Sequence, residues 1–405
     1  MPMNFSPWPC FTEEEAQAVR DVLLSNNVNY WTGDHGRQFE KEFASFSDAE
    51  YAVAVANGTL ALDLAMVALG IGHHGKPKDG EMDEVIVTSR TFIASVSSIV
   101  NAGAKPVFAD VDPDTQNITA SSIQAVVTNK TRAVVCVHLA GMPCEMDEIM
   151  RLAAANDLRV IEDCAQAHGA RYRGQSVGSI GHVGAWSFCQ DKIMTTGGEG
   201  GMVTTNDEQL WKKMWAYKDH GKSYDAVFHR DHRPGFRWLH ESMGSNFRMT
   251  EMQAVIGRIQ IKRMPGWKAK RHANAKRLAR VCKQFDSLRL STVPDYVEHA
   301  NYKFYVFVRQ DHLPPDWSRD RIISEIEDAG VPCFQGSCSE VYLEKAFGRA
   351  GLRPTQVLKE ARFLGDTSLM FLVHPTLTEQ EIVLTENTIR EVFNRIAVDN
   401  RSRLD

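Results

Sequence analysis

The chain has 405 residues, more than one small domain needs, so we expect two or three domains. Its hydrophobic fraction of 43% and its charged fraction of 24% are ordinary for a globular protein. The formal net charge of -5 argues against nucleic acid as the main partner, because phosphate binding normally brings an excess of basic residues.

The first residues show no sign of export or membrane insertion. They lack the basic segment and the apolar core of a signal peptide, and no apolar run approaches the roughly 18 residues of a membrane span. The eight cysteines are too sparse for a disulfide scaffold, and their spacing matches no zinc site. We therefore expect a cytoplasmic protein with reduced thiols and no metal site.

The predicted elements begin with two amphipathic helices. The first spans Thr12 to Ser25, where Thr12 and Glu15 form a capping box, and the second carries Phe39, Phe43 and Phe46. Between residues 51 and 206, apolar runs then alternate with helical patterns. The runs predict seven strands, which are YAVAVA, DEVIVTS, KPVFADV, TRAVVCVHL, LRVIEDC, AWSFC and GGMVTTN. This alternation predicts a largely parallel sheet with helices on both faces, whose ligands bind at the carboxyl ends of the strands.

The sequence beyond about residue 250 predicts a smaller α+β domain. A helix from Met252 to Met264 is expected to end at the stretch RMPGW, and a solvated basic helix from Lys268 to Lys283 follows. One strand, Tyr302 to Arg309, precedes a helix from Arg321 to Ala329 and a final capped helix. We therefore expect an N-terminal arm with a large domain in residues 1–260 and a small domain in residues 261–405.

Two groups of residues at predicted strand ends suit a flat, phosphorylated ligand. Gly58 and Thr59 open a helix after YAVAVA, where free N–H groups favour a phosphate, although an ordinary helix cap has the same sequence. Phe92 follows DEVIVTS and can stack on a flat ring, although a buried core phenylalanine fits the pattern as well.

Two further groups carry reactive side chains. Asp163 and Gln166 follow a strand, so the acid can bind a ribose hydroxyl or a protonated ring nitrogen, or lie in a surface turn; no accompanying ligand motif favours a metal. Ser187 lies in AWSFC and Lys192 follows it. A lysine of lowered pKa attacks carbonyl carbons, whereas most lysines are simply solvated. The glycines of TTGGEGG fit neither a Rossmann nor a P-loop motif and predict a tight turn.

Together these residues offer an anion site, an aromatic platform, a carboxylate and a nucleophilic lysine at one edge of a sheet. Pyridoxal phosphate (PLP) requires that combination. Its phosphate suits a helix N-terminus and its aldehyde a lysine amine. Its ring nitrogen needs an acid partner, since the protonated ring is the better electron sink.

At these residues the chain resembles the DegT/StrS family of nucleotide-sugar aminotransferases, which are PLP enzymes of fold type I. The likeness covers nearly the whole chain and includes the motifs WTGDHGRQFEKEFA, ANGTLALDLA, RTFIAS, VIEDCAQAHGA, GAWSFCQDKIMTTGGEGGMVTTND and SNFRMTEMQAVIG. The resemblance implies the aspartate-aminotransferase fold, with a mainly parallel seven-stranded sheet between helices in the large domain and a smaller C-terminal α+β domain.

The resemblance also implies roles for the matching residues. Lys192 is the catalytic residue, which binds PLP covalently and then moves the substrate proton. Cofactor contacts are implied for Gly58, Thr59, Phe92, Asp163, Gln166 and Ser187. Asn246 is expected to reach the phosphate of the other subunit, so the implied enzyme is a homodimer.

Lys192 favours transamination, because some relatives with histidine at this position carry out deoxygenation instead. The implied reaction moves an amino group from L-glutamate to a nucleotide-linked 4-keto-6-deoxyhexose, for amino sugars of lipopolysaccharide O-antigen or other polysaccharides. A keto-cyclitol or a keto-acid sugar without a nucleotide is the alternative substrate. A catalytically idle regulatory homologue is the alternative of another class.

Departures from the family pattern concern the substrate. The loop TTGGEGG has one glycine more than the family pattern, and the segment Val227 to Ser245 is long and rich in histidine and arginine. Candidate substrate contacts are Arg90, His168, His220 and Arg237, and His229 and Arg233 are further cationic residues of this segment. A solvated loop explains the segment equally well.

Overall fold

The structure is a computed structural model that describes residues 5–76, 80–231, 235 and 237–401. The helices are α1 (Glu13–Leu24), α2 (His35–Phe46), α3 (Gly58–Ala68), α4 (Ala94–Asn101), α5 (Ala120–Gln124), α6 (Met146–Ala155), α7 (Glu208–Lys218), α8 (Tyr224–Phe228), α9 (Glu251–Cys282), α10 (Arg319–Asp328), α11 (Lys345–Arg349), α12 (Lys359–Thr367) and α13 (Glu379–Arg401). The strands are β1 (Tyr51–Val55), β2 (Glu84–Thr88), β3 (Lys105–Ala109), β4 (Thr131–Val137), β5 (Arg159–Asp163), β6 (Arg171–Tyr172), β7 (Gln175–Ser176), β8 (Val183–Ser187), β9 (Gly201–Thr205), β10 (Leu288–Arg289), β11 (Val297–Glu298), β12 (Phe304–Val308), β13 (Cys333–Phe334) and β14 (Ser368–Phe371).

A seven-stranded sheet forms the centre of the larger part, in the order β1-β9-β8-β5-β4-β2-β3. Strand β9 is antiparallel to both neighbours, and the other neighbouring pairs are parallel. Strands such as β2 are continuous apolar runs because both sheet faces are covered: α3, α4 and α7 pack on one, and α2, α6 and α9 on the other. The predicted mainly parallel seven-stranded fold is confirmed.

The carboxyl ends of four strands lie at one edge of this sheet, because these strands run in the same direction. Strands β1, β2, β5 and β8 point the same way. Their carboxyl ends lead into Asn57, Thr91, Asp163 and Ser187, respectively. The segments that the sequence singled out therefore lie side by side, which is where ligands of such sheets bind.

The C-terminal part contains a second, antiparallel sheet in the order β10-β12-β14-β13. Its core joins β12 to the C-terminal half of α9 and to α10 and α13, through residues such as Val306, Leu278, Ile326 and Phe393. A three-stranded sheet of β11, β6 and β7 connects this part to the larger one. The predicted boundary after residue 260 falls inside α9 and stays a prediction.

Helix α9 corrects one sequence-based expectation. It runs unbroken from Glu251 to Cys282 with Pro265 inside it, so the helix end predicted at RMPGW is wrong. A proline in a helix interior removes a hydrogen bond and costs about 3 kcal/mol. Met264 on one side of it and Leu278 on the other are buried, and each buried side chain of this size contributes about 1.5–3 kcal/mol.

The basic half of α9 is only partly solvated, which is a second correction. Arg271 is 1% exposed; its guanidinium carbon lies 4.9 Å from the Trp8 ring centre, and its Nη1 donates to the Tyr302 carbonyl at 3.1 Å. Helical spacing predicts which side chains share a face, but not that a neighbouring segment covers one of them.

Within the described residues, no helix combines the length and the apolar character that crossing a membrane would need.

Candidate active site

The N-terminus of α3 lies against the end of β8. Asn57 caps the helix by accepting the Leu60 N–H at 2.9 Å, so this bond does not use the N–H groups of Gly58 and Thr59. A Cβ added to Gly58 would lie 2.5 Å from the Ser187 Cβ, so the approach requires glycine. Backbone N–H groups and a serine hydroxyl therefore meet at the positive end of a helix, which suits a phosphate.

Phe92 lies on the surface of a cavity and not in the core. Its side chain is 66% exposed, although it follows a fully buried strand. The alternative prediction from the sequence, a phenylalanine buried in the core, is therefore wrong for Phe92. An exposed ring at the mouth of a parallel sheet can stack on a flat ligand.

Asp163 ends β5 and is 5% exposed. Its Oδ2 accepts the Ser95 hydroxyl at 2.8 Å, and its Oδ1 accepts the Ala165 N–H at 3.1 Å. Burial raises the pKa of this carboxyl, whereas these two hydrogen bonds and the positive charge of Lys192 act in the opposite direction. A buried carboxylate attracts a positively charged donor on a ligand, because little water screens its charge.

Lys192 lies in the loop between β8 and β9. Its carbonyl accepts the Trp8 Nε1–H at 2.7 Å, and its Nζ lies 5.4 Å from the centre of the Tyr302 ring. The glycines downstream allow the loop to turn back sharply, since Gly197 and Gly198 have φ of 84° and 112°. Two consecutive residues of positive φ require glycine, which explains the additional glycine of this loop.

Three of the predicted site residues line one cavity of about 710 Å³. Phe92, Gln166 and Lys192 line it from the larger part of the chain, and Tyr302, Lys303 and Tyr305 from the C-terminal part. Gln166 is held by the Ala140 N–H, which donates to its Oε1 at 2.8 Å and so leaves its amide nitrogen available as a donor. A lysine, an aromatic platform and an amide donor thus line one cavity that is open to solvent.

Comparison with known proteins identifies the family. The model of the DegT/DnrJ/EryC1/StrS aminotransferase family matches residues 9–387. The chain belongs to this family. It is therefore a PLP-dependent aminotransferase, as the resemblance implied, and its cofactor is PLP.

The relatives of this aminotransferase include sugar-modifying enzymes. GDP-perosamine synthase of Escherichia coli O157:H7 is 42% identical over 253 residues, which cover 62% of this chain and 64% of that protein. GDP-perosamine synthase of Caulobacter vibrioides is 35% identical over 373 residues, which cover 90% of this chain and 92% of that protein. The comparisons thus support a sugar aminotransferase.

Two solved structures show how closely the fold matches. The aminotransferase from Psychrobacter cryohalolentis has 64% identity and a TM-score of 0.94, covering 97% of this chain and 100% of that one. DesV of S. venezuelae, solved with a ketimine intermediate, has 30% identity and a TM-score of 0.82, with 94% of each chain covered.

The residues of this aminotransferase fit PLP. Gly58 packs so closely against Ser187 that an added Cβ would overlap it, which brings the N-terminus of α3 and the serine hydroxyl together. Phe92 is exposed beside it, and Asp163 is a buried acid on the same sheet edge. These residues would hold the phosphate, the ring face and the ring nitrogen, respectively. The assignment of each contact stays a prediction from the family motifs.

Two of the predicted substrate contacts, Arg90 and His168, have buried side chains, and their proposed roles stay predictions. Arg90 is 0% exposed, and its side chain donates to the Gln116 and Ser368 side chains between the two parts of the chain. His168 is 1% exposed and packs against the rings of Trp186 and Phe188. Burial, followed by the positive charges of Lys192 and Arg271, lowers the pKa of His168 to about 3. Both side chains are enclosed by protein and do not line the cavity.

The remaining predicted residues lie on the protein surface. Asn246 pairs with Asp219 in an antiparallel bridge, and the neighbouring His220 donates its N–H to the Ser245 carbonyl at 2.9 Å. Both are exposed, as are Arg237 and His229, and none of them lines the cavity of the single chain. Their proposed contacts stay predictions, and Arg233 lies outside the described residues.

Sequence reasoning missed the C-terminal wall of the site. Tyr302 donates its hydroxyl to Asp191, next to Lys192, and Lys303 lies beside it. It also missed Ser95, whose hydroxyl holds Asp163. The sequence signal for Tyr302 and Lys303 was a group of polar and aromatic residues just before the strand FYVFV. That pattern is too common to indicate an active site.

Proposed function

We propose that this aminotransferase moves an amino group from L-glutamate to a ketone of a nucleotide-linked 4-keto-6-deoxyhexose. The observation that carries the proposal is Lys192 in a PLP-type cavity of a chain related to two proteins named GDP-perosamine synthase. The product would be an amino sugar for a polysaccharide such as the O-antigen of lipopolysaccharide.

PLP supplies an electron-poor ring that accepts the electron pair left when the substrate carbon loses its proton. The chain supplies the rest. Lys192 holds the cofactor before the substrate arrives and then carries the proton from and to the substrate carbon. Asp163, whose pKa burial raises, favours a proton on the ring nitrogen, and Phe92 keeps the ring fixed in the cavity.

We also propose that the active enzyme is a homodimer. Trp238 and Met243 are 87% and 93% exposed, and they lie on the same surface segment as Asn246. Large apolar side chains left in water on a neighbouring stretch are typical of an interface between subunits. Asn246 can then complete the phosphate site of the other subunit.

Substitution of Lys192 tests the reaction. The purified protein should be yellow, and Lys192→Ala should bind PLP without covalent attachment and lose turnover about 10⁴-fold or more, because the proton carrier is gone. Lys213→Ala is the matched control, since Lys213 is an exposed lysine of α7. Transfer from L-glutamate to a panel of nucleotide-linked keto-sugars is measured by mass spectrometry. Turnover by Lys192→Ala at the rate of the Lys213→Ala control contradicts the proposal.

The nucleotide part of the proposal has its own test. Titration with GDP, UDP and dTDP, followed by calorimetry, should show binding of at least one nucleotide to the PLP-loaded enzyme. A keto-cyclitol substrate would need no nucleotide site. Amino transfer to an unlinked keto-sugar, with no binding of any of the three nucleotides, would therefore remove the nucleotide from the proposal.

A further inference from the structure

Lys303 is a cation in the cavity wall that the reaction described so far does not use. It lies beside Tyr302, with its Nζ 5.0 Å from the centre of that ring. Lys192 Nζ lies 5.4 Å from the same centre, so the two nitrogens are no farther apart than the sum of these distances. Both lysines also line the same cavity, so one small ligand can contact both.

The charges around Lys303 leave it available to an anion. In the described part of the chain, no carboxylate lies within ion-pair distance of its Nζ. Asp191 is the nearest acid to act on it, but Asp191 accepts the Tyr302 hydroxyl and lies 3.9 Å from Lys192 Nζ. Burial, helped by the charges of Arg271 and Lys192 and opposed by Asp191, lowers the pKa of Lys303 to about 8.

Arg271 adds a second positive charge behind this wall. It is 1% exposed, and its Nε and Nη2 have no hydrogen-bond partner. Among the residues that the structure describes, no carboxylate forms an ion pair with this buried guanidinium, so it carries an uncompensated charge next to Tyr302 and Lys303. Positive charge in a protected site is costly unless a ligand brings the opposite charge.

We infer that Lys303 binds a carboxylate of the amino donor while Lys192 handles its amino-bearing carbon. This inference rests on the proposed function, in which the donor is an amino acid. Lys303 and Lys192 line the same cavity, which suits a carboxylate on the reacting molecule; nucleotide binding by the Lys303 variants tests a sugar diphosphate instead. An α-carboxylate is attached directly to the reacting carbon, whereas a diphosphate is separated from the keto carbon by much of the sugar ring.

Lys303 also borders a second space, which supplies the matched control. This groove, of about 650 Å³, is lined by Lys276 and Lys283 as well, and none of its lining residues is acidic. Lys276 lines the groove and not the cavity of Lys192. An anion in the groove would depend on Lys276, whereas a donor in the cavity would not.

The two half-reactions separate donor from acceptor. Lys303→Met, Lys303→Arg and Lys276→Met are compared with the wild type for the rate at which L-glutamate bleaches the yellow PLP-loaded enzyme. Lys303→Met should raise the KM for L-glutamate about tenfold to a hundredfold, the loss of one charge-assisted hydrogen bond. Lys303→Arg should recover much of it, and Lys276→Met should change it less than about threefold.

Direct binding gives a readout that does not depend on turnover. Glutarate, an unreactive dicarboxylate, should bind the wild type more tightly than Lys303→Met by a similar factor in calorimetry. Its affinity for the wild type should fall above pH 8, by up to about tenfold per pH unit, as Lys303 loses its proton. Lys303→Arg keeps its charge and should show no such fall, while Asp191, Arg271 and Lys192 stay the same in both proteins.

The outcomes that overturn the inference are distinct from a failure of the proposed function. An unchanged KM for L-glutamate in Lys303→Met overturns it, as does an equal effect of Lys276→Met. Weaker binding of GDP, UDP or dTDP to Lys303→Met, with glutarate binding intact, assigns Lys303 to the diphosphate and overturns it too. If L-glutamate does not bleach the wild type, the proposed donor fails, and the glutarate titration still decides on Lys303.

Discussion

Glu162 and Asp163 are adjacent acids on β5 whose side chains have different surroundings. Glu162 is 0% exposed, and its carboxylate accepts the N–H groups of Gly178, Ile180 and Gly181. It also bonds the His138 Nε2 at 2.9 Å, so it fastens the turn before β8. Asp163 instead accepts hydrogen bonds from the Ser95 hydroxyl and the Ala165 N–H at the carboxyl end of β5. Successive side chains of a strand point to opposite faces of the sheet, so two adjacent carboxylates can have different partners and different roles.

Amide substitutions should separate these tasks. Glu162→Gln places an NH2 group among N–H donors, so we expect the free energy of unfolding to fall by about 3 kcal/mol or more. Asp163→Asn removes the partner of the ring nitrogen, which shifts a pKa by about 1–3 units, so kcat should fall about tenfold to a thousandfold. Urea unfolding of the cofactor-free protein and steady-state kinetics measure the two effects. Loss of kcat in Glu162→Gln without loss of stability would reverse this assignment.

At the scale of elements, the loop between β8 and β9 carries Lys192, five residues after Ser187. Its glycines differ in what surrounds them. A Cβ at Gly198 would meet no atom within 4 Å, whereas a Cβ at Gly200 would lie 1.9 Å from the Thr196 Oγ1. The Thr196 hydroxyl is itself engaged, since it donates to the Glu199 carbonyl at 2.5 Å. The loop therefore contains two glycines needed for its dihedral angles, Gly197 and Gly198, and a third, Gly200, needed for space.

Alanine substitutions should reveal this difference. Gly198→Ala should lower the free energy of unfolding by about 1–2 kcal/mol, the cost of a positive φ for a residue with a Cβ. Gly200→Ala should cost about 3 kcal/mol and weaken PLP binding, because Thr196 must move and shift the loop. Urea unfolding and PLP titration of the two variants measure this. Equal effects on stability and PLP affinity would show that overlap with Thr196 does not matter.

The same elements show how far the sequence predicts the fold. Alternating apolar runs and helical patterns suffice for the seven central strands and their order of appearance, because a buried parallel sheet leaves a strong local pattern. The unbroken α9 was missed because the local rule at Pro265 is overridden by burial along both halves of the helix. Local preference is a weak guide where tertiary packing compensates.

At the scale of the whole molecule, the limit of prediction is the second wall of the site. Strand ends of one sheet are brought together by topology, so Gly58, Phe92, Asp163 and Ser187 could be placed at one edge from the sequence. Tyr302 and Lys303 are more than a hundred positions from Lys192 in the sequence. They line the same cavity because the C-terminal part packs against the larger part of the chain. No hydrophobic periodicity or sequence motif predicts that contact, so the donor-binding role of Lys303 could be inferred only from the structure.

The predicted dimer has a consequence that a mixture of inactive variants can test. Asn246 lies outside the cavity of its own chain, so its proposed role requires a second subunit. In a heterodimer of Lys192→Ala with Asn246→Ala, one site combines the intact Lys192 of one chain with the intact Asn246 of the other. Random exchange makes about half of the dimers mixed, each with one intact site, so activity should recover to about a quarter of the wild-type level.

A mixture of Lys192→Ala with Asp163→Asn is the matched control, because both residues belong to the same chain's site and every mixed dimer then has two defective sites. Differently tagged chains, refolded together and assayed for transfer from L-glutamate, provide the measurement. Recovery with Asn246→Ala but not with Asp163→Asn would show that the site is completed across the subunit interface. No recovery in either mixture, although mixed dimers are isolated through both tags, would place Asn246 in its own subunit's site or outside the chemistry, and the proposed shared phosphate site would be wrong.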